Sequence, residues 1–183
     1  MVTIIFEAHG TTFDNEKHLS SGHFDIELSP LGVKQAKEMG ERCKDQEFAA
    51  IFCSDLQRSY QTAEIAFGNR FPIIKDKRLR ECDYGDLTQH PTEEIEPMKV
   101  DYITKPFPNG ESYEQTFERM KEFLDNLKKN YDNPPSGEGS KRIMIIGHRA
   151  TQYGLEHWIN GVSMQDAVTA PFKWQPGWEY KLG

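Results

Sequence analysis

Two histidines, one arginine and one glutamate recur at comparable places along this chain. His9 follows the apolar run VTIIFEA at 2–8, Arg58 lies in DLQRSYQTAEIAF just beyond AAIFCS at 49–54, Glu81 comes after FPIIKD at 71–76, and His148 closes RIMIIGH. Any one of them alone is more simply a structural residue, and Arg58 could pair with Asp55 or Glu64 on its own helix. Together they hold the parts for phosphoryl transfer to an imidazole. These parts are a nucleophile, cationic and hydrogen-bonding stabilisers for the equatorial oxygens, and an acid for the leaving oxygen.

Such a set works only if the fold gathers it. The runs 2–8, 49–54, 71–76 and RIMIIGH read as short buried strands. Between them, Ser29 as N-cap and Pro30 at the first turn open a helix that carries Leu31, Gln35, Met39 and Arg42. DLQRSYQTAEIAF continues from the second strand as a helix. ESYEQTFERMKEFLDNLKKNY has a helical stripe of Tyr113, Phe117, Met120, Leu124 and Leu127 that suits core packing, and a further helix runs from about Ala150 to Ile159. Strands alternating with helices predict an α/β fold with a mostly parallel sheet and helices on both faces. Ligands in such sheets bind beyond the carboxyl ends of the strands, where all four residues fall.

Residues 82–110 hold no period and read as a loop-rich insertion within one domain spanning 1–183. The glycine-rich stretch NPPSGEGSK reads as a surface loop; it leads into a strand, whereas a phosphate cradle leads into a helix N-terminus. The final WEYKL alternates beyond a Pro-Gly turn and suggests a strand that pairs locally.

Composition narrows the chemistry. At 183 residues, 37% apolar and 28% charged, the sequence is that of a globular protein, and no run approaches the ~20 apolar residues of a membrane span. MVTIIFEAHG lacks the pattern of a signal peptide, so a cytoplasmic protein is expected. Cys43, Cys53 and Cys82 have neither disulfide-framework nor zinc spacing. A net charge of -7 argues against a nucleic-acid partner. The six histidines, at 9, 18, 23, 90, 148 and 157, show no H-E-x-x-H or short paired spacing, so neither a metal nor a cofactor is expected.

Several segments resemble the histidine phosphatase superfamily, which includes cofactor-dependent phosphoglycerate mutase. AHGTTFDN, with His9, Gly10, Thr12 and Asn15, is similar to the family's Arg-His-Gly-x-Thr and its following Asn. GHFDIELSPLGVKQA matches a second segment at Gly22, Asp25, Leu28, Ser29, Gly32, Gln35 and Ala36. CSDLQRSYQTAE resembles S-x-L-x-R-x-x-x-T-A, RLRECDYGDL the acid-bearing stretch, and GESY and IIGH two later landmarks. The resemblance implies a phosphoglycerate mutase-like three-layer sandwich. It also implies that His9 is transiently phosphorylated, that His148 and Arg58 hold the phosphoryl oxygens, and that Glu81 protonates the leaving group. Gly10, Asn15 and His23 are then expected to meet phosphate or substrate.

The sequence departs from the pattern at two positions. Ala8 stands where the family has Arg, and Arg149 where it usually has Gly. Loss of one preorganised cation at a phosphoryl site costs on the order of 3 kcal/mol, roughly a hundredfold in rate. Arg149 is therefore expected to return the missing charge from the neighbouring strand end.

Three functions follow: a metal-independent phosphatase acting on a small phosphorylated molecule, a phosphoglycerate-type mutase, or a catalytically weak phospho-ligand-binding protein. The acidic stretch TQHPTEEIEPMKV, in the place where such mutases carry a basic insertion, favours the phosphatase.

Overall fold

The computed structural model describes residues 1–131 and 142–183. The loop expected at 133–141 lies outside the described residues. Strands β1 (Val2–Ala8), β2 (Ile51–Cys53), β3 (Ile73–Lys75), β4 (Arg142–Gly147) and β5 (Trp178–Leu182) form one sheet in the order β3-β2-β4-β1-β5. The first four are mutually parallel, and β5 runs antiparallel along β1 with Ile4 opposite Tyr180. This corrects the expectation of local pairing. WEYKL alternates because Tyr180 is buried against one sheet face, and the strand to which it adds is the first in sequence.

Alternating side chains along the strands fill two cores, as a pleated strand requires. Ile4, Phe6, Phe52, Ile143 and Ile145 pack against Met120, Phe123, Leu124 and Leu127 of α5 (Tyr113–Tyr131) and Leu155 of α6 (Arg149–Asn160). Ile5, Ile51, Cys53, Met144 and Ile146 pack on the other face against Met39 of α2 (Pro30–Arg42) and Ala63 and Phe67 of α3 (Gln57–Phe67). The result is the expected α/β sandwich, with each buried aliphatic or aromatic side chain contributing about 1.5–3 kcal/mol.

Helix α2 begins as its sequence indicates, with Ser29 Oγ accepting the Gly32 N–H at 3.3 Å. Its buried face, however, is Gly32, Ala36 and Met39, and Leu31 faces solvent. The small residues matter because the helix start presses on the loop after β1. A Cβ on Gly32 would lie 2.0 Å from the Thr11 carbonyl oxygen, and one on Gly10 2.6 Å from that of Gly32. The two glycines together let this loop turn back over the sheet end.

The segment 82–110 is more ordered than its composition suggests. It contains α4 (Thr92–Met98) and two short 3-10 turns, Gly85–Leu87 and Lys99–Tyr102. Cys82, Tyr84, Ile95 and Phe107 form a third core with Tyr113, Phe117, Ala150, Tyr153 and two residues of α7 (Met164–Thr169), Ala167 and Val168. A seven-residue helix that contains Pro97 is too short to display a period, and its single buried residue finds its partners on α5 to α7. The three cysteines are buried and free. Among the described residues, no helix is long and apolar enough to cross a membrane, and no cluster of three or more His, Cys, Asp or Glu could hold a metal ion.

Candidate active site

The loop after β1 fixes the chemistry of His9. Its backbone N–H donates to the Gly147 carbonyl at 3.1 Å, which ties the end of β1 to that of β4. Its Nδ1 lies 2.7 Å from the carbonyl oxygen of Gly10. A carbonyl only accepts, so Nδ1 carries the hydrogen and Nε2 keeps its lone pair. Burial, reinforced by the charge of Arg58 and partly offset by the Gly10 bond, pushes the His9 pKa down to about 3. The ring is therefore a neutral imidazole with a free basic nitrogen, the form a nucleophile needs.

His148 caps the N-terminus of α6, and its ring centroid lies 5.0 Å from that of His9. It is 2% exposed, its Nε2 is 2.7 Å from Ser54 Oγ, and its Nδ1 is buried without a protein partner. Burial first, then the charges of Arg58 and His9, hold its pKa well below the usual 6.5.

Arg58, also 2% exposed, is the cation between these rings and the loop before α2. Its guanidinium donates to the carbonyls of Phe24 at 2.9 Å and Gly22 at 2.7 Å. Four residues along α3, Thr62 Oγ1 donates to the Arg58 carbonyl at 2.6 Å and accepts the Gly10 N–H at 3.0 Å. One hydroxyl thus locks the helix bearing Arg58 to the loop bearing His9. Both Ser54 and Thr62 belong to the S-x-L-x-R-x-x-x-T-A segment, so the sequence contained them without revealing their work.

Glu81 is 8% exposed and rests its carboxylate on backbone N–H groups. Oε1 accepts from Cys82 at 2.8 Å and Ala150 at 3.2 Å, and Oε2 from Arg149 at 3.1 Å, so the carboxylate sits on the N-terminus of α6. His23, expected to face substrate, donates from Nε2 to the Glu81 carbonyl at 2.8 Å, with Asp83 at 3.5 Å and Glu111 at 3.7 Å. Its place is thus beside the Glu81 peptide.

Three expectations change in detail. The Arg149 guanidinium donates to Gln152 Oε1 and the Ala170 carbonyl, both at 2.8 Å, and lies 4.7 Å from the ring centres of both Tyr153 and Phe172. Its side chain is committed to α6 and the end of α7, and its contribution next to Glu81 is its backbone N–H. Asn15 Oδ1 accepts the Thr12 N–H at 3.0 Å in the reciprocal cap of α1 (Phe13–Glu16), so that oxygen is occupied. Gly10 has its N–H on Thr62 and its carbonyl on His9, and so it shapes the loop.

The structure therefore gathers His9, His148, Arg58 and Glu81. Arg58 acts electrostatically on both rings, and Glu81 acts on Arg58. Two neutral imidazoles beside one buried guanidinium suit a phosphoryl group.

The family described as histidine phosphatase superfamily (branch 1) matches residues 4–170. The chain is 32% identical over 164 residues to the uncharacterized phosphatase PhoE of Bacillus subtilis, covering 88% of this chain and 79% of that protein. It is 28% identical over 178 residues to phosphoserine phosphatase 1 of Hydrogenobacter thermophilus, covering 90% and 79%. In fold it is similar to a mycobacterial glucosyl-3-phosphoglycerate phosphatase solved with VO3, with a TM-score of 0.79 at 23% identity over 92% of this chain and 86% of that one.

Proposed function

The chain belongs to the histidine phosphatase superfamily, and on that footing we propose that it is a metal-independent phosphatase of the cytoplasm that hydrolyses a small phosphomonoester through a phosphohistidine on His9. In the first step the His9 Nε2 lone pair forms a bond to phosphorus as the bond to the ester oxygen breaks. Arg58 and the His148 imidazole face the equatorial oxygens, and the Glu81 carboxyl gives its proton to the departing alkoxide. In the second step a water attacks the phosphohistidine, the Glu81 carboxylate takes the water's proton, and His9 is released with phosphate. No step requires a metal or an organic cofactor.

One observation carries this reading. The Nδ1–H bond from His9 to Gly10 leaves Nε2 as the free basic nitrogen, beside His148 and Arg58. Glu93, Glu94 and Glu96 on α4, with Lys99 already bound to Glu96 at 2.6 Å, argue against a second phosphate subsite of the kind a mutase uses.

The test is phosphate release from a panel of phosphorylated metabolites in the presence of EDTA, followed by a quench that avoids acid and a search for phosphate on His9. Turnover that survives EDTA, with labelled His9 and an inactive His9→Ala variant, is expected. Full turnover by His9→Ala would remove the nucleophile, and phosphate exchange between positions of a phosphoglycerate would favour the mutase. Tight vanadate binding without turnover would leave a binding protein, the consequence of Ala8 in place of Arg.

A further inference from the structure

The acid is borne by a segment that lacks the usual backbone support. Residues 80–84 belong to no strand or helix, yet the Glu81 carboxyl must keep its place on α6. Where a sheet would supply a ladder of donors, the side chain of Arg119 on α5 supplies them. It donates to the carbonyls of Arg78 at 2.7 Å, Arg80 at 2.8 Å and Glu81 at 2.8 Å. The remaining carbonyl of this run, Leu79, accepts from Thr151 Oγ1 at 2.9 Å.

Arg119 is itself held in place. Its Nε and Nη2 meet Glu111 Oε1 and Oε2 at 3.0 and 2.9 Å, a two-point pairing that fixes the plane of the guanidinium. Glu111 also grips the chain on the far side of the acid, accepting the Asp83 N–H on Oε2 at 3.1 Å and donating its own N–H to the Asp83 carbonyl at 2.9 Å. Burial alone would raise the Glu111 carboxyl, but the hydrogen bonds and charge of Arg119 hold it below its ordinary value, so the pair stays ionised.

We propose that Arg119, oriented by Glu111, is a positioning residue for proton transfer: it replaces a missing strand neighbour along 78–81 and so keeps the Glu81 carboxyl where the leaving oxygen departs. The proposal rests on the role of Glu81 given above. A lysine at 119 would bring one point charge where three carbonyls and a carboxylate are met by a planar fork, so conservative replacement does not preserve the function.

The experiment compares an alkyl phosphate, whose leaving group needs a proton, with 4-nitrophenyl phosphate, whose leaving group needs little. Rates are measured for the parent, Arg119→Gln, Glu81→Gln and the double variant. Arg119→Gln is expected to lower kcat on the alkyl ester at least ~10-fold more than on the nitrophenyl ester, within the range of general acid catalysis. Added to Glu81→Gln, it should cost less than about threefold more on the alkyl ester, because the two act through one proton. Glu111→Gln should shift the same ratio in the same direction, and it decides the matter if Arg119→Gln fails to fold. Equal losses on both esters, while Glu81→Gln still discriminates between them, would reduce Arg119 to general scaffolding and leave the acid in place. If Glu81→Gln itself fails to discriminate, the acid assignment falls and the proposal with it.

Discussion

Ser54 Oγ stands 2.7 Å from His148 Nε2, and this contact determines which way the second imidazole faces. The hydroxyl already accepts the Leu56 N–H at 3.3 Å and has its own hydrogen left to give. If it gives that hydrogen to Nε2, the hydrogen of the ring resides on Nδ1, the nitrogen buried without a protein partner. That N–H is then a donor ready for a phosphoryl oxygen. Ser54→Ala should weaken inhibition by vanadate about tenfold, the scale of a lost hydrogen bond to a charged ligand, with Ser54→Thr recovering part of it. An unchanged inhibition constant in Ser54→Ala would show that the tautomer is set by something else.

Arg149 gives a contrasting case. Its guanidinium is spent on Gln152, Ala170 and two aromatic faces, so Arg149→Ala should alter vanadate affinity by less than about threefold, which is below 1 kcal/mol. Its cost should appear in stability, since the change strips a ligand from the end of α7. A loss of affinity near a hundredfold would mean that the guanidinium swings into the site when phosphate arrives.

The pH dependence of stability follows from the buried imidazoles. In the unfolded chain a histidine takes up a proton below about pH 6.5, whereas folded His148 stays neutral well below that value and His9 down to about 3. Between these limits the unfolded state binds more protons, so stability rises with pH and is lost as pH falls below about 6.5. Each ring contributes at most about 1.4 kcal/mol per pH unit. Urea midpoints from pH 7 down to about pH 5 should fall less steeply for His148→Gln than for the parent. Parallel curves would count against buried neutral rings.

The contact of Gly32 with the loop after β1 can be tested by size alone. The Cβ of Gly32→Ala would meet a backbone oxygen at 2.0 Å, so the helix start or the loop must move. A loss of roughly 1–3 kcal/mol is expected, as for overpacking elsewhere, together with lower activity because Thr11 lies two residues from His9. A variant as stable and as active as the parent would mean that the loop has slack.

Much of this was legible in the sequence because the informative signals are local. Apolar runs that stop abruptly at His9 and His148 mark strand ends, and the α/β alternation puts those ends on one side of the sheet. What was not legible depends on contacts between distant segments. The direction of Arg149 is set by α7 and the 170–172 stretch, which had no pattern of its own. Arg119 sits on a helix whose apolar stripe attracts the eye, and its partners are carbonyls, which every residue has. The place of β5 beside β1 was equally hidden, because alternation reports a half-buried strand and not its neighbour.

That pairing has a consequence for when the site exists. The strand that ends at His9 takes all its ladder bonds from β4 and β5, far away along the chain, and none from a sequence neighbour. Such distant closures form late and slowly in folding, and they open as one cooperative unit. The amide hydrogens of Ile4 and Phe6 should therefore exchange with solvent only through global unfolding, while those of α4 exchange through smaller excursions. His9 should then reach its place only as the native state completes.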